Sequence, residues 1–285
     1  MQINILNSKN NSIFISDVDI NLKETFECGQ CFRWNFENGG YVGIVNGKVL
    51  KAIQKDNGFI LENTTIEEFE KIWINYFDLK MDYSAIINDY PDDKFLEKAA
   101  VFGKGIRILK QNPLEMIISF IISSNNNIGR IKKIIESFCS LYGKPIQYQN
   151  NTYYTFPEKE ALSAVTEEGL KSIRAGFRDK YIFDAVCRII NGEINFEVLL
   201  KLTTDDIKKE FLKIKGVGPK VCDCVLLFGF GRYEAFPKDI WIKRVISEVY
   251  GENFDEKSFG KYAGIIQQYL FYFARENPKN LKQER

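Results

Sequence analysis

The segment Ile214-Lys215-Gly216-Val217-Gly218-Pro219-Lys220 predicts a tight turn between two α-helices. Thr204-Asp205-Asp206 is expected to cap the first helix, which ends at Lys213, and Pro219 occupies the first turn of the second helix. The pattern is that of a helix-hairpin-helix. Its turn, Gly216-Val217-Gly218, leaves backbone N–H groups uncovered at a helix N-terminus, where they and the helix dipole can hold a phosphate group. The alternative is that these glycines only end one helix and allow the next to begin, without binding any ligand.

Lys220 lies in the first turn of the second helix, where a positive charge opposes the helix dipole. This field, together with apolar neighbours, favours the uncharged amine, which suits a nucleophile that forms a Schiff base. Asp239 follows nineteen residues later, in Phe236-Pro237-Lys238-Asp239, where it can cap the next helix. A buried aspartate near a free amine can also stabilise an oxocarbenium-like sugar and accept the proton of the amine. A solvated lysine and a purely capping aspartate are the alternative.

Length and composition indicate a soluble, globular, intracellular protein. The 285 residues are 45% hydrophobic and 27% charged, and they contain neither a long apolar segment nor the start of a secretory signal. Histidine is absent, which excludes the usual catalytic triads and histidine-based metal sites. The six cysteines are expected to be reduced. A zinc site is the less favoured alternative because its two candidate pairs lie far apart in the sequence, at Cys28 and Cys31 and at Cys222 and Cys224.

Charge is unevenly distributed along the chain, although the net charge is only +1. Residues 1–92 carry 8 basic and 14 acidic side chains, a net charge of −6, whereas residues 93–285 carry 31 and 24, a net charge of +7. A basic C-terminal part beside an acidic N-terminal part is typical of a nucleic-acid-binding domain with a support domain. Two ordinary solvated surfaces would give the same totals.

The hydrophobic pattern predicts two domains of different class. Between Ser12 and Leu61, short apolar runs alternate with Gly and Asn turns, as in an antiparallel sheet. A capping box at Thr65 and Glu68 then begins an amphipathic helix that is expected to pack on this sheet. We therefore expect an α+β N-terminal domain, residues 1–92, that combines an antiparallel sheet with packed helices.

After Pro91 the pattern becomes helical, with apolar residues three and four positions apart. The predicted helices include residues 114–122, 128–141, 170–190 and 204–214. Strand signals are scarce and no repeat of fixed period is present. Residues 93–285 are therefore expected to form a mainly all-α helix-hairpin-helix domain that carries the hairpin and the catalytic residues.

Two segments resemble the signature parts of the helix-hairpin-helix Gly/Pro-Asp (HhH-GPD) superfamily of DNA glycosylases. They are Gly216–Lys220 and Pro237-Lys238-Asp239. By this resemblance the lysine implies a bifunctional member, which is a DNA lyase as well as a glycosylase. Endonuclease-III-like and adenine-specific members usually carry a C-terminal four-cysteine iron-sulfur cluster. The chain has no cysteine after Cys224, which disfavours those branches.

Further segments resemble the eukaryotic-type 8-oxoguanine DNA glycosylases, and they extend from about residue 22 to residue 275. They are Cys28-Gly29-Gln30-Cys31-Phe32-Arg33-Trp34, Ser123-Ser124-Asn125-Asn126-Asn127-Ile128, the hairpin with Cys222-Asp223-Cys224, and Tyr262-Ala263-Gly264 followed by Gln267 and Phe271. The resemblance thus covers most of the chain and implies base excision repair of oxidised guanine.

The resemblance also implies how the base is recognised. The flipped base would lie between Phe271 and the sulfur of Cys224, with Gln267 at its Watson-Crick edge. The backbone carbonyl of Gly29 would accept a hydrogen bond from N7–H of 8-oxoguanine, a hydrogen that guanine lacks. There are structural alternatives for these residues. Gln267 and Phe271 would be a core pair four residues apart on one helix, and Gly29 would be a turn glycine between strands.

Four positions match family residues at the opposite strand. Asn125, Arg130 and Arg178 would fill the vacated stack and contact the estranged cytosine, and Phe177 matches a neighbouring wedge residue that is usually Tyr. Asn125-Asn126-Asn127 would equally serve as a loop and N-cap for the next helix.

The predicted mechanism is attack of Lys220 on C1′ as the base leaves, followed by β-elimination from the Schiff base. No cofactor and no catalytic metal are expected, and the resemblance suggests only a structural monovalent cation on the hairpin carbonyls. The expected partner is double-stranded DNA that contains 8-oxoguanine, bound by a monomer. The alternatives are a sister HhH-GPD glycosylase for another damaged base and a non-catalytic DNA-binding protein. The pair Lys220 and Asp239 argues against the latter.

Two positions depart from the family pattern. Trp241 replaces a family histidine that contacts phosphate near the flipped nucleotide, and Phe228 lies where the family often has Met. Both are expected to add apolar bulk near the pocket.

Overall fold

The computed structural model describes residues 4–8, 11–251, 253–279 and 281. Residues 1–3, which belong to the N-terminus considered above for an export signal, lie outside the described ranges. Six strands form one antiparallel sheet in the order β1-β2-β6-β5-β4-β3. The strands are β1 (Asn4–Ser8), β2 (Ser12–Ser16), β3 (Trp34–Glu37), β4 (Gly40–Val45), β5 (Lys48–Lys55) and β6 (Gly58–Glu62).

Alternation of apolar residues gives this sheet one buried face. Ile13 and Ile15 of β2 pair with Leu61 and Phe59 of β6, and all four side chains are buried. The face is covered by short helices, which are α1 (Leu22–Glu27), α2 (Ile66–Glu68) and α3 (Ile74–Tyr76), the last two joined by a π-helical turn (Phe69–Trp73).

Local sequence explains how these helices begin. Thr65 accepts the N–H of Glu68, whose carboxylate accepts the N–H of Thr65 in return, so the predicted capping box is confirmed. Asn21 caps α1, a helix that the sequence pattern did not predict. In α1, Phe26 stacks on Trp34 of the sheet with ring centres 4.1 Å apart.

The rest of the chain is mainly helical, as predicted. Its helices are α4 (Tyr83–Asn88), α5 (Lys94–Phe102), α6 (Pro113–Ser123), α7 (Ile128–Tyr142), α8 (Glu167–Ser172), α9 (Asp179–Ile190), α10 (Phe196–Leu199), α11 (Thr204–Phe211), α12 (Pro219–Phe230), α13 (Ile240–Val245) and α14 (Ala263–Glu276). Short 3-10 segments (Ala161–Ala164, Gly176–Arg178 and Glu256–Tyr262) and a π-helical turn (Ile246–Tyr250) connect them. The most apolar helices, α6, α12 and α14, form the centre of the second core. None of the described helices is long and apolar enough to cross a membrane.

Several boundaries differ from the predictions. The predicted helix over residues 170–190 is two helices, because Arg174 (φ 58°) and Gly176 (φ 68°) adopt left-handed backbone angles between them. Thr203 rather than Thr204 caps α11, because Thr203 is extended and accepts the N–H of Asp206, and α11 ends at Phe211 rather than Lys213.

A two-stranded hairpin also interrupts the helical part, although strands were not predicted there. It consists of β7 (Pro145–Tyr148) and β8 (Asn151–Tyr154), whose side chains are exposed or half-buried, so no buried face marks these strands in the sequence.

The two hydrophobic cores meet between the sheet and the helices. One core extends from Ile13 to Leu79 and includes Leu109, and the other includes residues from Tyr83 onward together with Cys28 and Phe32. The turn after α1 therefore inserts into the core of the helical part. A division of the chain between residues 92 and 93 stays a prediction.

Candidate active site

A pocket with an empty volume of about 320 Å³ opens where the turn after α1 meets the helical part. The lining residues come from that turn and from α6, α12, the segment before α13, and α14. They are Gly29, Phe120, Lys220, Cys224, Phe228, Pro237, Asp239, Gln267, Gln268 and Phe271. Both predicted catalytic residues and all four predicted base-recognition residues thus share one pocket.

Lys220 reaches this pocket from the first turn of α12. Pro219 is the first residue of α12 and Gly218 is its N-cap, so no capping side chain shields the helix end. The Lys220 ammonium lies 5.3 Å from the ring centre of Phe120, a cation-π contact that the sequence did not predict.

Asp239 caps α13, as predicted. Its Oδ1 accepts the N–H groups of Trp241 (3.0 Å) and Ile242 (2.9 Å). Burial raises the pKa of the carboxyl above its ordinary value of 3.8, whereas the N–H of Ile242 and the charge of Lys220 act in the opposite direction. Because only Oδ1 receives these two N–H groups, capping leaves Oδ2 available for chemistry.

Cys224 and Phe271 both line the pocket, as a stacking pair for a base requires. Burial raises the pKa of the Cys224 thiol to about 11, against the opposing charge of Lys220, so Cys224 is a neutral thiol at pH 7. Phe228 also lines the pocket, but Trp241, which was expected nearby, does not. The Trp241 ring lies against the guanidinium of Arg244 instead, 5.3 Å from its centre.

Gln267 presents a buried acceptor at the pocket. Its side chain is only 3% exposed, and its Nε2 donates to the carbonyl of Pro237 at 3.0 Å, which fixes the orientation of the amide. The Oε1 atom has no hydrogen-bond partner among the described residues. A buried acceptor left unpaired costs about 1 to 3 kcal/mol, so a ligand that donates to Oε1 would recover this energy.

Gly29 lies between α1 and β3, not between two strands, and its φ of 86° is left-handed. A Cβ atom at this position would be 3.0 Å from Nη1 of Arg275 and 3.4 Å from Cε1 of Phe271. The left-handed backbone angle therefore favours glycine, and the Arg275 guanidinium leaves little room for a larger residue. None of the described residues donates a hydrogen bond to the Gly29 carbonyl.

The residues predicted for the opposite strand cluster around the loop between α6 and α7. Asn125 has a left-handed φ of 49°, and Asn127 caps α7 by accepting the N–H of Arg130, as predicted. Phe177 is 56% exposed and stacks against the guanidinium of Arg178 at 4.4 Å.

Arg178 itself is buried, with 2% exposure. Its guanidinium donates to the backbone carbonyls of Ser124 (2.8 Å), Asn125 (2.6 Å) and Ala175 (3.1 Å). In this state Arg178 therefore holds the Asn125 loop in place, and direct contact with a base would require release of some of these bonds.

One of the three N–H groups in the hairpin turn is already bonded. The N–H of Val217 donates to the carbonyl of Ile214 at 3.1 Å and closes the turn. The N–H groups of Gly216 and Gly218 make no hydrogen bond with any described residue, so they are the groups available to a phosphate. Gly216, with φ 81°, packs directly on the ring of Tyr181.

The sequence did not identify three residues at the site, namely Phe120, Gln268 and Arg275. Only the pair Gln267-Gln268 carried a signal, as two adjacent amides in an otherwise apolar helix. All six cysteines are free thiols, and the described residues contain no group of three or more Cys, Asp or Glu side chains that could hold a metal ion. The two cysteine pairs are thus not assembled into a zinc site.

Comparison with known proteins identifies the family. Residues 12–117 match the 8-oxoguanine DNA glycosylase N-terminal domain, and residues 118–260 match the HhH-GPD superfamily of base excision DNA repair proteins. A probable N-glycosylase/DNA lyase of Methanothermobacter thermautotrophicus is 31% identical over an alignment of 245 residues, and the match covers 76% of this chain and 77% of that protein.

Two solved structures are still more similar in sequence. The 8-oxoguanine glycosylase/lyase of Clostridium acetobutylicum, in complex with double-stranded DNA that contains cytosine opposite 8-oxoguanine, is 40% identical with a TM-score of 0.90. The match covers 98% of this chain and 99% of that one. A protein named MBOgg1, solved with a low-affinity DNA ligand, is 42% identical with a TM-score of 0.92, over 98% and 100% of the two chains.

The chain therefore belongs to the HhH-GPD superfamily of base excision DNA repair proteins, and within it to the 8-oxoguanine DNA glycosylases. It is a bifunctional enzyme, an N-glycosylase with DNA lyase activity that removes 8-oxoguanine. The resemblance drawn from the sequence motifs is thereby confirmed.

Proposed function

We propose that Lys220 is the nucleophile and Asp239 the essential carboxylate, and that the lesion is excised from duplex DNA in which it is paired with cytosine. One observation carries this proposal: Lys220, Asp239 and the base-recognition residues converge on a single pocket of about 320 Å³. A base extruded from the helix would enter this pocket with its C1′ near the amine.

The chemistry follows from these positions. The neutral amine of Lys220 forms a bond to C1′ as the C1′–N9 bond breaks, and the electron pair of that bond leaves with the base, which takes up a proton. Asp239 stabilises the cationic sugar and accepts the proton that the amine releases. Opening of the sugar ring gives a protonated Schiff base, loss of a C2′ proton expels the 3′ phosphate, and water then hydrolyses the imine to regenerate Lys220.

Recognition of the lesion would rest on two acceptors of the protein, the Gly29 carbonyl and Oε1 of Gln267. The N7–H of 8-oxoguanine would donate to the Gly29 carbonyl, whereas guanine would place its N7 lone pair there at a cost of about 1 to 3 kcal/mol. The unpaired Oε1 of Gln267 suits the N1–H and N2–H donors of a guanine-type edge. Phe271 and Cys224 would enclose the base from its two faces.

Cytosine would be recognised on the opposite strand. Asn125 would fill the vacated space, Phe177 would wedge beside it, and Arg130 and Arg178 would donate to the estranged base. The exposure of Phe177 supports this arrangement, and Arg178 would reach the base after release of some of its bonds to the Asn125 loop. Gly216 and Gly218 would hold a phosphate of the damaged strand.

The enzyme would act as an intracellular monomer on double-stranded DNA, without a catalytic metal or cofactor. The carbonyl groups of the hairpin would hold a structural monovalent cation, whose charge would favour a nearby phosphate. The carbonyl oxygens of Lys215 and Val217 accept no hydrogen bond from any described residue, so neutral oxygen ligands of the kind that such a cation prefers are present in the turn.

Borohydride trapping tests the proposal directly. Wild type should form a covalent adduct with a duplex that contains 8-oxoguanine opposite cytosine and none with the matching guanine duplex. Lys220→Gln should form no adduct, whereas Lys238→Gln should trap like wild type, since Lys238 pairs with Glu256 at 2.7 Å. An adduct that persists in Lys220→Gln would assign the Schiff base to another amine.

A further inference from the structure

The chain passes the pocket just after the end of α1, at residues 27 to 30, and presents four consecutive carbonyl groups there. Three of them accept a hydrogen bond from a side chain. Arg275 Nη2 donates to Glu27 (2.7 Å), Gln268 Nε2 to Cys28 (2.9 Å) and Gln111 Nε2 to Gln30 (2.9 Å). The exception is Gly29, whose carbonyl receives no hydrogen bond from the described residues and which lines the pocket.

Two of these three donors belong to α14, the helix that also carries Gln267 and Phe271. Gln268 is buried and adjacent in sequence to Gln267. Arg275 lies one turn beyond Phe271, and its guanidinium is 5.4 Å from the centre of that ring. The turn that presents the Gly29 carbonyl is therefore attached to the helix that presents the other base-recognition groups.

The opposite side of the turn is held by the side chain of Gln30. Its Nε2 donates to the carbonyls of Thr25 (2.8 Å) and Arg107 (2.7 Å), and its Oε1 accepts the N–H of Leu109 (2.8 Å). This side chain is completely buried. The peptide groups on both sides of the Gly29–Gln30 peptide are thus bonded and the Gln30 side chain is anchored, which restrains the backbone around this peptide.

This restraint bears on specificity because glycine alone would not hold its peptide group in one orientation. If the peptide between Gly29 and Gln30 rotated, an N–H group would replace the carbonyl at the pocket. An N–H would pair with the N7 lone pair of guanine and oppose the N7–H of 8-oxoguanine. The orientation of one peptide group thus decides between the lesion and the normal base.

We propose that Gln268 and Arg275 are positioning residues that aim the Gly29 carbonyl at N7–H of the lesion, and so set specificity through that carbonyl. The inference rests on the proposed role of Gly29. It concerns base recognition only, because cleavage of a preformed abasic site needs Lys220 and Asp239 but presents no base to Gly29.

The test compares two single-turnover reactions of the same protein. One is excision of 8-oxoguanine opposite cytosine, and the other is cleavage of a duplex with a preformed abasic site. Gln268→Met keeps the length of the side chain but removes the donor to Cys28. We expect it to slow excision about tenfold, the equivalent of one lost buried hydrogen bond, and to change abasic-site cleavage by less than about twofold.

Arg275 provides a second, matched pair of variants, and its side chain is partly at the surface. Arg275→Lys keeps a cationic donor for the Glu27 carbonyl and should excise at close to the wild-type rate. Arg275→Met should slow excision more than it slows abasic-site cleavage, which is also the expected result for Gln268→Met. Thermal unfolding of each variant verifies that it is folded.

The outcomes separate the positioning role from the proposed function. Equal losses in both reactions, or no loss in either, would contradict the positioning role. If wild type excises 8-oxoguanine but Gly29→Ala excises it equally well, the recognition role of Gly29 is wrong, and the inference fails with it.

Discussion

At the scale of single residues, Asp239 combines a structural and a chemical duty in one carboxylate. Its Oδ1 accepts two N–H groups at the start of α13, which orients the carboxylate and relieves the helix end. Burial makes the charged form costly, and the nearby Lys220 compensates in part. The balance keeps a poorly solvated carboxylate beside the reacting sugar, where its charge is most effective.

This balance predicts how the carboxyl of Asp239 titrates. Carboxyl-carbon NMR should give it a pKa above 3.8, because burial is the largest influence and it disfavours the charged form. Lys220→Met should raise this pKa further, since it removes a positive charge that favours the carboxylate. Lys238→Met is the control and should shift it less, because Lys238 pairs with Glu256. A pKa at or below 3.8 in wild type would contradict the buried environment.

Replacement of the carboxylate separates the two duties of Asp239. Asp239→Asn keeps an oxygen for the N–H groups of α13, so the free energy of unfolding should change by less than about 1 kcal/mol. Excision of 8-oxoguanine should nevertheless slow by about 10²- to 10⁴-fold, because the amide carries no charge and accepts no proton. Chemical denaturation and single-turnover kinetics measure the two effects. Parallel losses of stability and rate would mean that capping is the whole role.

At the scale of elements, the two glycines of the hairpin play different parts. Gly216 has a left-handed φ of 81°, and a Cβ there would be 2.4 Å from the ring of Tyr181. Gly218 has a φ of −93°, and nothing lies within 4 Å of a Cβ at that position. The first glycine is therefore needed by the fold, whereas the second only keeps the N-terminus of α12 open.

Alanine at each position should separate these parts. Gly216→Ala should lower the free energy of unfolding by about 1 to 3 kcal/mol through backbone strain and the clash with Tyr181. Gly218→Ala should leave stability within about 0.5 kcal/mol, but its methyl group at the open helix end should weaken binding of duplex DNA. Denaturant unfolding and DNA titration at fixed salt measure both effects. Equal destabilisation by the two variants would refute the distinction.

The elements that the sequence predicted correctly are those encoded locally. Examples are the capping box at Thr65, the cap at Asp239 and the hairpin. Each depends on residues within a few positions of one another, so the sequence pattern alone predicts it. The break in the predicted helix at Arg174 was not predicted, because arginine seldom adopts a left-handed φ and nothing in the sequence marks this one. The hairpin of β7 and β8 has no buried face and hence no alternation to read.

The base-recognition residues were predicted only through family resemblance, and their supports were not predicted at all. Gln268 reaches the Cys28 carbonyl across 240 positions of sequence, and Arg275 reaches Glu27 across 248. Such contacts arise from tertiary packing, which no local pattern encodes. Arg178 is a similar case, since its match to a base-contacting position did not reveal that its guanidinium is occupied by three backbone carbonyls.

At the scale of the whole molecule, one short segment joins the two hydrophobic cores. Ile106 and Ile108 are buried in the helical core, whereas Leu109 is buried in the core of the sheet domain. Between them, Arg107 is buried with 2% exposure and contacts the ring of Tyr83, 4.6 Å from its guanidinium carbon. Because the active-site pocket lies where the two parts meet, the integrity of this junction determines whether the pocket exists.

Arg107 should therefore be a major contributor to the stability of the whole chain. Its Nε donates to the carbonyl of Asp19 (2.7 Å) and its Nη1 to that of Met81 (2.7 Å), so Arg107→Met would leave a buried side chain without its donors and two part-buried acceptors unpaired. We expect the free energy of unfolding to fall by about 3 kcal/mol, measured by denaturant titration. Lys71→Met is the control. It removes the exposed ion pair between Lys71 and Glu67, so the free energy of unfolding should change by less than about 0.5 kcal/mol. Similar small effects of both substitutions would show that the cores are held together by apolar packing alone.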